Sequence, residues 1–208
     1  MIRSATVGLL LSLVAAPAVG QTLRAGVHGV AVRHNEIDAS QSATGFGVGG
    51  VVGARRGRFA IEARGFWAEI DPDDEAAESF RILQGDVRVG FRLLQALAFE
   101  VGAGRRAIDP DFISQDVGLF RAGFLSEYPL TRIATVWARG AYLIAPQFSG
   151  GGSSDLSVEL GLGTAIGLAS GRVRFTGEYE FQRIDREVER REVPIQMMVV
   201  RVGAEVGF

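Results

Sequence analysis

The chain has 208 residues, 47% of them hydrophobic and 22% charged, with a formal net charge of −2. That balance supplies no long-range attraction for nucleic acid, and the absence of cysteine excludes a disulfide framework and a thiolate metal site. Its 22 Lys-plus-Arg positions are all arginine, and glycine is abundant at 28 residues.

At the start, Arg3 precedes a 12-residue apolar run, Ala5 to Ala16, followed by the small residues Ala16-Pro-Ala-Val-Gly20. A positive residue, a short apolar core and a small-residue cut site predict a cleaved secretory signal peptide over 1–20. The alternative, a retained anchor, is disfavoured because the run is shorter than the ~20 residues that cross a bilayer as a helix. No later stretch reaches ~18 apolar residues, so insertion of 21–208 in a membrane has to use a closed sheet.

Residues 21–208 read as one all-β domain of repeated hairpins. Strands are expected at about 22–33, 44–54, 58–69, 80–92, 97–107, 116–127, 133–145, 155–168, 172–183 and 195–208. Helical periodicity is hard to find, and glycine interrupts nearly every window in which a helix could start. Short connections at Arg55–Gly57, Leu93–Ala96, Tyr128–Arg132 and Ala169–Gly171 alternate with longer polar ones at His34–Ala43, Asp71–Ser79, Ile108–Gln115, Pro146–Ser154 and Ile184–Pro194. The fold class that follows is a single closed up-and-down antiparallel transmembrane β-barrel of ten strands, or eight if one hairpin merges.

The last strand shows the period of two most clearly. Met198, Val200, Val202, Ala204, Val206 and Phe208 form one apolar face; Arg201, Gly203, Glu205 and Gly207 form the other. A soluble sandwich or a secreted lipocalin-like barrel alternates too, with its apolar face inward. Strands of 11–14 residues exceed the mode of about 5–6 in soluble sheets. Aromatics gather near strand ends, with Phe59, Phe91, Phe175 and Phe208 at the short-turn end and Trp67, Phe80, Tyr179 and Phe181 at the loop end, as at the two interfaces of an apolar slab.

The opposite parity is expected to line the lumen with an ion-pair network. It carries Arg24, Glu62, Arg64, Asp86, Arg88, Glu100, Arg106, Arg121, Arg139, Glu159, Arg174, Glu178, Glu180, Arg201 and Glu205, eight arginines against seven acids. Near-balance suits a closed, ion-paired interior, whereas a selective pore usually shows a ring of one sign. Strand six fits only if Phe120, Ala122 and Phe124 face lipid while Val117, Leu119 and Leu125 point inward. Trp137 falls on the lumen parity beside Arg139, with an arginine as its expected stacking partner.

The closing strand with its terminal aromatic, the signal peptide and the hairpin pattern resemble the small Gram-negative outer-membrane β-barrels, the group that includes the OmpA transmembrane domain, OmpX and OmpW. The resemblance implies residence in the cell outer membrane and contact with outer-membrane lipids and lipopolysaccharide. It also implies an assembly signal at Phe208, read by the barrel-assembly machinery, and a monomer without cofactor. The function expected is a non-enzymatic structural or surface-interaction role around a closed, charge-filled lumen. Alternatives are a narrow channel for ions or small solutes, an outer-membrane lipid hydrolase and a soluble secreted barrel.

Ten strands are shared with omptin-like proteases, and a serine–histidine pair marks the outer-membrane lipases. Here the two histidines, His28 and His34, both fall on strand one or its exit, and no catalytic residue is carried over. His28 is expected to face the lumen and His34 to sit solvated in a loop near Asp38 and Ser40. Asp71, Asp73, Asp74 and Glu75 form a weak candidate for a divalent cation, against a plain solvated loop. In the last loop, Arg186, Arg190 and Arg191 either reach glycolipid phosphates or are wet.

Overall fold

The computed structural model describes residues 21–36, 41–74, 77–110, 116–149, 151–168, 172–188 and 191–208. The expected signal peptide, Asp38, Ser40, Glu75 and Arg190 lie outside the described residues.

The strands are β1 (Gln21–Glu36), β2 (Gln41–Arg56), β3 (Phe59–Pro72), β4 (Phe80–Leu94), β5 (Leu97–Asp109), β6 (Val117–Pro129), β7 (Ala134–Phe148), β8 (Ser153–Gly167), β9 (Val173–Val188), β10 (Arg191–Glu192) and β11 (Ile195–Gly207). Each long strand pairs antiparallel with its sequence neighbour, β9 pairs with β11, and β11 pairs with β1, so the sheet closes on itself. The two-residue β10 only extends the β9 hairpin. The barrel therefore has ten staves, and the eight-strand alternative is excluded. Closure satisfies every edge, as a sheet surrounded by hydrocarbon must.

The staves run 13–16 residues, further into the loop end than the sequence pattern suggests. Outward charge ends the apolar band, but it does not end the hydrogen-bond ladder. On β1 the band stops at Arg33, yet pairing continues through Glu36, which faces Gln41 and Ile195.

Parity sorts the faces as the pattern requires. Val27, Phe46, Val48, Ile61, Val101, Leu162 and Val202 all point outward and are exposed, with Phe46 at 78%. The arginines and carboxylates of the other parity are enclosed. Outward Phe59 and Phe91 meet at 5.0 Å between ring centres near the turn end, and Phe99 and Phe124 at 5.6 Å. At the loop end, outward Trp67 is followed by outward Glu69, which faces Arg81 on β4. A wall this apolar is stable against hydrocarbon; in water it would forgo about 25 cal/mol for every Å² left uncovered.

The β6 condition is met: Val117 and Leu119 are buried inside while Phe120 and Phe124 are exposed outside. On β7 the register against β6 slips between Gly118 and Phe120, with Ala145 at φ 44°. The extra residue re-aims the strand, so Leu143 is buried before the bulge and Phe148 after it.

The interior is not charged throughout, contrary to the expectation of a charge-filled lumen. Its loop-end part is an apolar core in two clusters. One joins Val30, Val32, Phe66, Ile70, Ile82 and Met197, among others; the second joins Val117, Leu119, Leu143, Phe148, Ile184 and Ile195. Burying such side chains is worth about 1.5–3 kcal/mol each, which makes this end a plug comparable to a soluble core.

Candidate functional site: the lumenal ion-pair network and its vestibule

Neighbouring strands supply the first pairs through register. Arg64 lies opposite Asp86, Glu62 opposite Arg88, Glu178 opposite Arg201 and Arg174 opposite Glu205. Glycine stands opposite several of the longest side chains: Gly102 faces both Arg88 and Arg121, and Gly161 faces Arg139. The room left by the missing side chains lets guanidiniums swing across the lumen.

They do so at the level of the barrel's middle. Arg64 binds Asp86 at 3.3 Å, Glu178 at 2.6 Å and also Glu180. Arg88 binds Asp86 and Glu159, each at 2.8 Å. Arg121 reaches Glu159 at 2.8 Å, and Arg201 reaches Glu180 at 3.3 Å. Towards the turn end, Arg139 binds Glu100 at 2.7 Å and Glu62 at 3.7 Å, Arg24 binds Glu62, and Arg174 binds Glu205 at 2.6 Å. Arg139 also reaches Glu178 at 4.0 Å, and Arg24 reaches Glu205 at 3.7 Å. These contacts join Arg24, Arg64, Arg88, Arg121, Arg139, Arg174 and Arg201 with Glu62, Asp86, Glu100, Glu159, Glu178, Glu180 and Glu205 into one connected net of zero formal charge.

Arg106 stays out of it. Its Nη1 approaches Gln182 Oε1 and Met197 Sδ, both at 3.4 Å, while its buried Nε and Nη2 have no hydrogen-bond partner among the described residues. The eighth arginine is thus the excess cation of the parity count, set towards the apolar end. Burial leaves it 2% exposed.

Four side chains depart from the sequence reading: Phe80, expected at the outer interface, is 3% exposed inside the apolar core; His34 and Arg186 turn inward; and Trp137 keeps its lumen side with a different neighbour. His34 is no loop residue: it continues the inward parity of Val30 and Val32, is 4% exposed, and meets Phe80 edge-on at 5.9 Å. Arg186 is likewise turned inward, 4.7 Å above the Phe148 ring and donating to Gly151 O at 3.0 Å, so it is withdrawn from any glycolipid. Trp137 lines the lumen against Gly163, where an added Cβ would overlap the indole. The guanidinium over a ring in the middle layer is Arg201 above Phe66, at 5.5 Å.

Below the net, at the turn end, is a vestibule of about 290 Å³ lined by Arg24, Glu62, Glu100, Trp137, Arg139 and Arg174. Arg64, Arg88 and Arg201 form its inner end. Among the described residues, the ion-pair net lies at its inner end and the two apolar clusters lie beyond the net.

His28 faces this chamber between Gly49 and Gly203, with its Nε2 buried and without a hydrogen-bond partner among the described residues. The acidic segment gives no cage. Asp71 accepts from Ser79 at 2.7 Å, Asp73 and Asp74 lie in an adjoining bend, and among the described residues no group of three or more His, Asp or Glu is placed to hold a metal ion. Phe208 is outward and 77% exposed, its backbone N–H donating to Leu23 O at 2.9 Å.

No protein-family model matches the chain, and no curated protein sequence does. Solved structures do match by shape. The outer membrane protease OmpT from Escherichia coli superposes with a TM-score of 0.53 at 8% identity, over 92% of this chain and 98% of that one. An outer membrane channel from Pseudomonas putida F1 gives 0.52 at 9% identity, over 93% and 97%. At such identities the likeness concerns the fold alone: the chain has the fold of an outer-membrane β-barrel.

Proposed function

We propose that the protein is an integral barrel of a Gram-negative outer membrane with a sealed lumen, serving a structural or surface-interaction role without catalysis. The observation that carries this reading is the stacking of a neutral, multiply bonded ion net beneath an apolar plug. A conduit needs a continuous open path, and what supports the sealed reading is that, among the described residues, the ion net and then the apolar clusters stand beyond the vestibule. Pore selectivity built from charge also calls for a ring of one sign, whereas this net balances seven arginines against seven acids. Affinity with the small barrels of the OmpA, OmpX and OmpW kind, a cleaved leader, assembly through Phe208 and a monomeric state belong to the same reading.

Planar-bilayer recording tests it. A folded, inserted protein is expected to leave the bilayer silent, and steady unitary conductance above background would overturn the sealed lumen. The second reading, a narrow channel, is favoured by the vestibule, which already opens half of the path. Conduction would then require the plug to move.

A further inference from the structure

The short turns carry mostly positive charge. Arg55, Arg56 and Arg58 flank the β2–β3 turn, Arg92 stands at the β4–β5 turn, and Arg132 and Arg172 lie at the other two; Glu127 is the one carboxylate of these turns. The loop end, by contrast, is mixed, with Arg33, Arg81 and Arg183 among Glu69, Asp71 and Asp185. Four of the turn arginines gather on one side of the mouth. The backbone N–H of Arg92 donates to Arg58 O at 2.8 Å, which ties the two turns together. Arg55 and Arg92 share Glu127, at 3.0 and 3.9 Å, and Arg56 and Arg58 are exposed. One carboxylate among four guanidiniums leaves an excess of three positive charges at the rim; Arg55, Arg92 and Glu127 stand on its lumenal side, where they line a cleft of about 30 Å³ with Gly90 and Glu100, and Arg56 and Arg58 stand outside.

Depth identifies the ligand. Arg56 is the cross-strand partner of Phe59, and Phe59 packs outward on Phe91, so Arg56 stands level with an outward aromatic pair while Arg58 and Arg92 stand one residue beyond it. Aromatic rings of this kind settle at the interface of a bilayer, which sets the guanidiniums at the level of phosphates. Guanidinium matches phosphate with paired, charge-assisted hydrogen bonds. We infer that the exposed Arg56 and Arg58, with Arg92 and Arg55 adding positive charge behind them on the rim, form a binding site for the phosphate headgroup of an anionic phospholipid in the leaflet at the turn end, which is the periplasmic one in barrels of this architecture. The inference rests on the reading of the chain as a membrane barrel.

The experiment reconstitutes the folded protein in phosphatidylcholine vesicles with spin-labelled phosphatidylglycerol or spin-labelled phosphatidylcholine, and compares the motionally restricted fractions. Wild type is expected to favour phosphatidylglycerol roughly fivefold, the scale of one basic side chain at an anionic surface. R56Q/R58Q/R92Q is expected to bring the ratio near one, and R33Q/R81Q/R105Q at the loop end to leave it unchanged. Salt at about 0.5 M is expected to erase the preference in wild type by screening, a readout that needs no variant. Equal restriction of the two lipids in wild type, or loss only in the loop-end variant, overturns the inference. Loss of the preference on adding millimolar inorganic phosphate would assign the site to the free ion and overturn the lipid source. A complete lack of restricted lipid would instead defeat the membrane reading itself, a result distinct from restriction without preference.

Discussion

Arg88 of β4 and Glu159 of β8 meet at 2.8 Å across the lumen, from strands separated by three others on one side of the barrel. Such a contact ties opposite walls together and depends on closure, because no hairpin brings these two strands near each other. Both side chains are essentially inaccessible, at 2% and 1% exposure.

Removing one charge from this contact is expected to be expensive. Glu159→Gln leaves Arg88 and Arg121 short of their shared carboxylate, a loss of about 3–5 kcal/mol for a broken buried pair. Urea titration followed by mobility of unboiled samples on gels measures it. Arg121→Gln in the same chain restores neutrality, and a double-mutant cycle is expected to show partial recovery. Strict additivity of the two losses would contradict the shared net.

Arg106 is expected to behave in the opposite way. Its guanidinium lies outside the net next to Met197 and the apolar cluster. Arg106→Met exchanges a poorly satisfied cation for a side chain of similar length, so stability should hold or rise, by about 1–4 kcal/mol at most. The same urea titration decides, and a loss as large as that of Glu159→Gln would show that the cation is needed.

The two tryptophans report which wall meets lipid. Trp67 is outward and 42% exposed, whereas Trp137 packs in the lumen on Gly163. In vesicles of lipid with brominated acyl chains, Trp137→Phe leaves only Trp67 and its emission should be strongly quenched. Trp67→Phe leaves only Trp137, and its emission should persist. Equal quenching of both would place hydrocarbon, or its absence, on the wrong face.

Gly163 is expected to tolerate no side chain while the indole is in place. Gly163→Val forces Trp137 aside and should cost about 1–3 kcal/mol, the usual range for overpacking. Trp137→Ala in the same chain should return much of that loss. Thermal unfolding monitored by circular dichroism reads both, and failure of the rescue would mean that the strain lies elsewhere.

Parity arithmetic made the staves and the two faces legible, because a stave with one lipid face must alternate over its whole length. The same arithmetic carried past Arg33 would have put His34 and Glu36 inside; a run of polar residues concealed it by reading as a loop. Arg186 was missed for the same reason, two residues beyond inward Ile184. The apolar plug was harder to see, since Val30, Ala68 or Val117 on the inward parity resembles the outward residues beside it. Which charges meet across the lumen was not legible at all. Hairpin register gives neighbours such as Arg64 and Asp86, while Arg64 with Glu178 depends on how far the sheet is staggered when it closes.

The staves outlast their greasy band. Where β1 stays zipped to β2 and β11 beyond Arg33, with Ile195 enclosed at the level of Glu36, the closed ladder continues past the apolar band as a collar. In the proposed membrane reading that collar would stand between the lipid and the loops, so the loops would spring from paired strands and not from the lipid boundary.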